Sequence, residues 1–166
     1  MTQPTHTDSG RPLAKLREIA SAGGQRVPAL QAAADAIRRF GGYRWVGLYD
    51  VDHADAVVRN IVWSGPGAPE FPTFPIGKGL TSSAISTRKT VNVGDVGSDP
   101  RYLTAFGSTR SEIIVPITDH AKDLVLGTID VESETPHAFT RDGQNLLEAC
   151  AEVLLPLWAN IPGSPG

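Results

Sequence analysis

Residues 111–133, which read SEIIVPITDHAKDLVLGTIDVES, decide how the chain folds. Apolar residues recur at every second position on both sides of a polar turn at residues 119–122, which is the period of a strand with one buried face. The stretch therefore predicts an antiparallel hairpin. The residues expected on its buried face are Ile113, Val115, Ile117, Val125, Ile129 and Val131.

Three acidic residues share the opposite face of this predicted hairpin. If the hairpin closes symmetrically about its turn, Glu112 lies opposite Asp130 and Glu132 lies diagonal to them. Like charges that face each other destabilise a sheet, so this patch indicates a bound cation. A solvated strand face is the alternative interpretation, and a register shift of one residue would turn the acids into the core.

Composition limits the classes of protein to which the chain can belong. At 166 residues it predicts one domain that buries roughly 70% of its unfolded surface. Its 15 basic and 18 acidic residues are scattered and give a net charge of -3, so no nucleic-acid partner is expected. With one cysteine, Cys150, and neither a secretory leader nor a long apolar run, we expect a soluble cytoplasmic protein without a membrane partner. The four histidines lack the spacing of metal ligands, and no cofactor is predicted.

The domain is expected over residues 12–158, with a disordered lead at residues 1–11 and a tail at residues 159–166. Helical spacing and glycine stops predict helices at residues 12–22 and 29–40, and a short helix at residues 80–87. Strands are predicted at residues 43–51, 56–63 and 91–93, with a turn of helix near Tyr102. A last helix follows Thr140, and Pro156 should end or kink it before a tail from Leu157.

Two of these elements bear on function. The first helix carries an apolar stripe of Leu13, Leu16 and Ile19 that has no obvious place on the sheet, so we expect the stripe to be exposed and to form a homodimer. On the first strand, Trp45 and Tyr49 flank Gly47 on one face, an arrangement that favours a ligand slot. Ordinary core packing of the two aromatic side chains is the alternative.

Four segments together resemble a GAF domain, and more narrowly its free methionine-(R)-sulfoxide reductase branch. They are residues 45–49 (WVGLY), 74–80 (FPIGKGL), 111–116 (SEIIVP) and 127–133 (GTIDVES). The resemblance covers about residues 29–155. It implies an α+β fold with a six-stranded antiparallel sheet, helices on one face and a loop-covered ligand pocket on the other. The substrate-binding positions of that branch correspond to Trp45, Tyr49, Glu112, Asp130 and Glu132, the last being a Glu where the family usually has Asp.

The cysteines of that branch have no counterpart in this chain. Their positions are taken by Phe71, Thr81 and Ala105, and Cys150 lies on the predicted core stripe of the last helix. Sulfoxide reduction in the family requires a thiolate nucleophile and a resolving thiol. We therefore expect no reductase activity.

These expectations favour a small-molecule-binding domain with a signalling or regulatory role. The acids would take an ammonium group, and the start of the helix at Leu80, with Thr81 and Ser82, would take a carboxylate, so that a zwitterion resembling an amino acid fits both ends. One alternative is an enzyme related to the reductases in which a carboxylate with a raised pKa acts as a general base. Another alternative is a dimeric protein-interaction module.

Overall fold

The structure is a computed structural model that describes residues 10–103 and 107–159. The described part contains five α-helices, six strands and a short 3-10 helix at Val96–Ser98. The helices are α1 (Gly10–Ser21), α2 (Arg26–Gly41), α3 (Gly79–Thr87), α4 (Arg141–Leu154) and α5 (Pro156–Ala159). The strands are β1 (Trp45–Asp52), β2 (Val57–Ser64), β3 (Thr73–Pro75), β4 (Val91–Val93), β5 (Ser111–Asp119) and β6 (Leu124–Ser133).

The six strands form one antiparallel sheet in the order β3-β2-β1-β6-β5-β4. The long strands β1, β6 and β5 lie inside it, and its two edges are strands of three residues. Helices α1, α2, α4 and α5 contribute Leu16, Leu30, Leu147 and Trp158 to the main core on one face. Helix α3 packs on the other face, against Ile114 of β5. The predicted α+β fold is confirmed, and both strands of the β5–β6 hairpin lie inside the sheet.

The register of the β5–β6 hairpin differs from the symmetric closure expected. Glu112 pairs with Glu132, and Asp130 pairs with Ile114 instead of Glu112. Two local features each add one residue to the offset. Asp119 pairs with Leu124, one residue beyond Asp123, which the expected register would give it, and β6 contains a bulge next to the pairing of Ile117. Because the total shift is two residues, each acid stays on the predicted face.

The bulge also exchanges two residues between the faces of β6. Val125, expected in the main core, packs with Trp45 and Tyr49 on the opposite face, whereas Leu126 packs against the main core. The prediction for Val125 is wrong, because a residue inserted into a strand reverses the alternation beyond it. Residues Ile113, Val115, Ile117, Ile129 and Val131 are buried in the main core, as predicted.

The apolar stripe of α1 is covered within the chain, so the expectation that it is exposed is wrong. Leu16 is fully buried, and Leu13 and Ile19 pack against the same core. Helix α1 lies against α2 and α4, which provide the apolar surface that the sheet does not. The reason for expecting a homodimer through this stripe is therefore lost.

Several boundaries differ from the predicted ones. Helix α1 includes residues 10 and 11, which were assigned to the lead, and the other lead residues lie outside the described residues. Helix α2 begins at Arg26 instead of the predicted residue 29. It can include Pro28 because the amides of the first turn have no partner within the helix, so the missing N–H of proline costs no hydrogen bond there. The tail expected from Leu157 is helical as far as Ala159, and residues 160–166 are not described.

Two short elements near the later loops also depart from the prediction. Strand β3 was not recognised, and a single turn of 3-10 helix occurs at Val96–Ser98 instead of near Tyr102. Strand β3 has three residues and ends in a proline, so it lacks the alternating pattern by which a strand is recognised. Among the helices of residues 10–103 and 107–159, none has the length and apolarity needed to cross a membrane.

Candidate ligand-binding site

A small cavity lies over the sheet on the face that carries α3. Strands β1, β5 and β6 form its floor, the first turn of α3 forms one wall, and Phe71 and Leu103 from two long connections contribute to the lining. The cavity is partly open to solvent, and its volume of about 30 Å³ is room for about two water molecules.

All three predicted acids line this cavity. Glu112 and Glu132 lie directly opposite each other on β5 and β6, and Asp130 lies two residues before Glu132 on the same face. Each is buried, and Glu132 is only 1% exposed. The solvated strand face considered as an alternative is therefore wrong.

Burial raises the pKa of every acid in the cluster, because the ionised form loses its water. Burial raises the pKa of Glu112 well above its usual value, and the neighbouring Glu132 and Asp130 add to the effect. Burial raises the pKa of Asp130 to about 7, although the Thr128 hydroxyl donates a hydrogen bond of 2.7 Å to its Oδ1 and opposes the shift. Near neutral pH the cluster therefore holds protons.

Glu132 has the lowest exposure of the three acids. Both of its buried carboxylate oxygens lack a hydrogen bond of ordinary length. Burial, followed by the charge of Asp130, raises its pKa to about 8, while the hydroxyls of Tyr102 and Thr109 and the charge of Arg44 lower it. A buried carboxylate in these surroundings favours a donor group from a ligand.

The aromatic pair of β1 lies beside the acids. The Trp45 indole donates a hydrogen bond of 2.9 Å from Nε1 to the Gly67 carbonyl oxygen, and the Tyr49 ring meets Phe74 edge to face with 6.0 Å between centroids. A Cβ atom on Gly47 would overlap the Trp45 ring and come within 2.9 Å of Tyr49 Cε2. The glycine therefore makes room for the Trp45 ring itself, and the aromatic side chains form a wall of the cavity.

The two predicted residues at the start of α3 have different positions. Thr81 is buried and lines the cavity with Gly79 and Leu80. Ser82 is not among the lining residues, and its Oγ donates a hydrogen bond of 2.9 Å to the Gly79 carbonyl oxygen. The first amides of a helix have no carbonyl partner within it, so this turn is suited to an anionic group.

Two of the three positions that correspond to the cysteines of the reductase branch lie at the cavity. Phe71 and Thr81 line the cavity, whereas Ala105 lies outside the described residues. Cys150 is buried in the main core on the other face of the sheet, and burial raises the pKa of its thiol to about 12. The thiol is thus remote from the acids and is protonated at neutral pH.

Within residues 10–103 and 107–159, no group of three or more His, Cys, Asp and Glu side chains is arranged to hold a metal ion.

The sequence did not identify Tyr102 and Thr109, which act on Glu132, or Leu103 and Phe74, which line the cavity. These residues come from β3 and from the connection that precedes β5. Neither segment has the alternating apolar pattern that predicted which face of the sheet each β5 and β6 residue lies on. The only sequence signal at these positions was the type of side chain, apolar or hydroxyl, which does not by itself indicate a binding site.

The antiparallel order of the sheet and the cavity opposite its main helical layer define an α+β domain of the GAF type. The GAF domain family model matches residues 25–154, and the chain belongs to this family. It is also homologous to free methionine-R-sulfoxide reductases. The enzyme of Saccharomyces cerevisiae is 30% identical over 112 residues, which are 66% of this chain and 60% of that protein.

Two solved structures of such reductases are similar to this chain. The type II enzyme from Thermoplasma acidophilum has 31% identity and a TM-score of 0.72, with 86% of this chain and 94% of that chain covered. The enzyme from Neisseria meningitidis, solved in complex with its substrate, has 25% identity and a TM-score of 0.84, with 95% and 92% covered. The chain spans between 60% and 66% of the length of the curated relatives it matches.

Proposed function

We propose that this GAF domain binds a small molecule with a protonated amino group, of the size and charge pattern of an amino acid, and that it serves a signalling or regulatory role in the cytoplasm without reductase chemistry. The observation that carries the proposal is the buried acidic cluster. Glu112, Asp130 and Glu132 converge on one cavity, and an ammonium group would supply the donors that the Glu132 oxygens lack.

The two ends of the cavity support a zwitterion. The acids form one end, and the first turn of α3, with Thr81, forms another wall. A helix N-terminus favours a negative group. Lys78, at the N-cap of α3, caps the helix with no side-chain hydrogen bond, so a ligand carboxylate would meet backbone amides there.

The single thiol supports the proposed absence of reductase chemistry. Thiol–disulfide chemistry requires a thiolate within reach of the substrate and a second thiol to resolve the product. The 166 residues contain one cysteine, and Cys150 is buried on the face of the sheet away from the cavity. A substrate bound to the acids would be separated from this thiol by the sheet.

Thermal unfolding in the presence of candidate ligands tests the binding proposal. We expect L-methionine or its R-sulfoxide to raise Tm in proportion to the logarithm of its concentration. N-acetyl-L-methionine, which lacks the ammonium group, serves as the matched ligand and should give no shift. Equal stabilisation by the acetylated compound would contradict ammonium recognition, and no stabilisation by any amino acid would contradict the binding role.

A carboxylate-based enzyme is the second candidate. The pKa of Asp130, at about 7, is suited to a general acid or base at neutral pH. Product analysis by mass spectrometry after incubation with each ligand that raises Tm tests this candidate, and a product lost in Asp130→Asn would favour it.

A dimeric interaction module is the third candidate. The apolar stripe of α1 was the reason to expect a homodimer, and it is covered within the chain. The homodimer therefore stays a hypothesis, which a measurement of mass by light scattering would test. A mass of one chain at tens of micromolar protein would contradict it.

A further inference from the structure

The acidic cluster faces a cavity without a balancing cation. None of the described residues that line the cavity is basic; apart from the three acids, the lining consists of aromatic, aliphatic, glycine, proline and threonine residues. The cluster spans two neighbouring strands, with Glu112 opposite Glu132, and side chains in such a pair start about 5 Å apart. Three ionised carboxylates in this space would repel one another without a counter-ion.

The groups around the cluster do not remove this imbalance. From β1, the Tyr49 hydroxyl faces the acids, and its pKa is raised well above 10, first by burial and then by the three acids, so it stays neutral. The hydroxyls of Tyr102 and Thr109 act on Glu132, and the Thr128 hydroxyl bonds Asp130. Among the described lining residues, α3, β3 and the loop before β3 bring no charged group to the cavity.

Among the described residues, Arg44 is the one positive charge that acts on the cluster, and its charge is shared with another acid. Its guanidinium forms an ion pair of 3.1 Å with Glu134, in which the two side chains are 36% and 50% exposed. Arg44 lowers the pKa of Glu132, but this effect is the smallest of those acting on that residue. It offsets at most one of the three carboxylates.

We propose that the acidic cluster keeps its electrical balance by exchanging protons for its ligand, so that binding of an ammonium group expels at least one proton from the three acids. The inference rests on the proposed function and adds a form of regulation to it. Without ligand the acids are kept neutral by bound protons. The ammonium group replaces that positive charge, and the released proton goes to solvent.

This exchange makes the affinity depend on pH. Between pH 5 and 7 the amino group of L-methionine stays charged, so the ligand contributes little to the dependence. Each proton released at binding then raises the affinity about tenfold per pH unit. A site that binds its ligand independently of protons would have a flat profile.

The test is isothermal titration calorimetry of the full chain with L-methionine at pH 5, 6 and 7. At each pH the titration is repeated in buffers with different heats of ionisation, which counts the protons released. We expect at least one proton released and an affinity that rises about tenfold per pH unit. Asp55→Asn, a change of an exposed acid in the β1–β2 turn, should keep both results.

The outcomes separate this inference from the proposed function. Binding with the same Kd at all three pH values and no proton release would overturn the inference and leave the proposed function intact. No binding at any pH would overturn both. NMR titration of the carboxyl carbons without ligand gives an independent measurement: ordinary midpoints for all three acids would also overturn the inference.

Discussion

Asp130 is the residue at which a binding role and a structural role can best be separated. It lies in the middle of the cluster and accepts one hydrogen bond, from the Thr128 hydroxyl. An asparagine at this position keeps an oxygen for that hydrogen bond and removes the charge. A carboxylate required for folding would leave donors unsatisfied when changed, whereas one kept for a ligand would not.

We therefore expect Asp130→Asn to leave the protein without ligand as stable as before at pH 8, or more stable by about 1 kcal/mol, which is a rise in Tm of roughly 2–4 °C. The same variant should lose most of the stabilisation that L-methionine gives. Melting curves with and without the ligand measure both effects, and Asp55→Asn is the matched control. A large loss of stability without ligand, combined with an intact ligand response, would contradict the binding role.

Cys150 gives a second prediction at this scale. Because its thiol is buried in the main core and its pKa is raised to about 12, it cannot supply a thiolate to the cavity. We expect no turnover of methionine R-sulfoxide with a thiol reductant, and the same result for Cys150→Ser. Turnover in the natural sequence that disappears in Cys150→Ser would show that this thiol reaches the substrate.

At the scale of elements, the last helix is tied to the sheet by specific contacts. The Trp158 indole donates a hydrogen bond of 3.2 Å from Nε1 to the Tyr49 carbonyl oxygen. Arg26 of α2 pairs with Asp50, donates from Nε to the Leu157 carbonyl oxygen at 2.7 Å, and lies 5.6 Å from the Trp158 ring centroid. Residues 156–159 therefore belong to the fold.

Gly127 tests the docking of α5. A Cβ atom there would overlap the Tyr49 carbonyl oxygen and the Trp158 ring, and the backbone of β1 cannot move without breaking the sheet. We expect Gly127→Ala to lower the free energy of unfolding by about 1–3 kcal/mol, measured by urea denaturation. Gly77→Ala, with nothing within 4 Å of the added atom, should stay within about 0.5 kcal/mol. Equal effects of the two changes would contradict this packing.

Arg26 gives a prediction about the same junction. A lysine keeps the charge but cannot pair with Asp50 through two nitrogens while also reaching the Leu157 carbonyl oxygen. We expect Arg26→Lys to reduce the free energy of unfolding by about 1 kcal/mol. Arg59→Lys, which changes an exposed arginine that pairs with Asp52 and Asp55, is the control and should change stability little. Unchanged stability in Arg26→Lys would show that the junction does not depend on the guanidinium.

The sequence predicted the faces of the elements better than their pairing. Alternation placed Glu112, Asp130 and Glu132 on one face, and a register error of two residues left that result unchanged. It could not reveal the bulge, because the extra residue in β6 is set by pairing with β5 and not by the local pattern. For the same reason Val125 was assigned to the wrong face.

The contributions of the loops to the site were less accessible. Tyr102 and Thr109 reach Glu132 from a connection without regular alternation. Their positions depend on tertiary packing: Tyr102 packs against the cluster of Leu80, Ala84 and Ile114. A pattern read along the chain carries no information about such contacts.

For the molecule as a whole, the two faces of the sheet have opposite roles. One face is a continuous apolar core under four helices, and the other includes three acids buried beside a cavity. Buried acids with raised pKa values bind more protons in the folded state than in the unfolded state between about pH 4 and pH 8. Over that range stability therefore falls as the pH rises.

We expect the free energy of unfolding without ligand to fall by at least about 3 kcal/mol from pH 5 to pH 8, since each proton that the folded cluster holds and the unfolded chain lacks contributes about 1.4 kcal/mol per pH unit. Urea denaturation at unit steps of pH measures this slope. Asp130→Asn should flatten it, because one of the protons is no longer taken up. The exposed pairing of His120 with Glu152 raises the pKa of His120, so this titration also lowers stability as the pH rises. His120→Asn controls for that contribution. A stability that is constant or rises over this range would show that the acids are stabilised as carboxylates without any ligand, and would remove the physical basis of the exchange between proton and ammonium group.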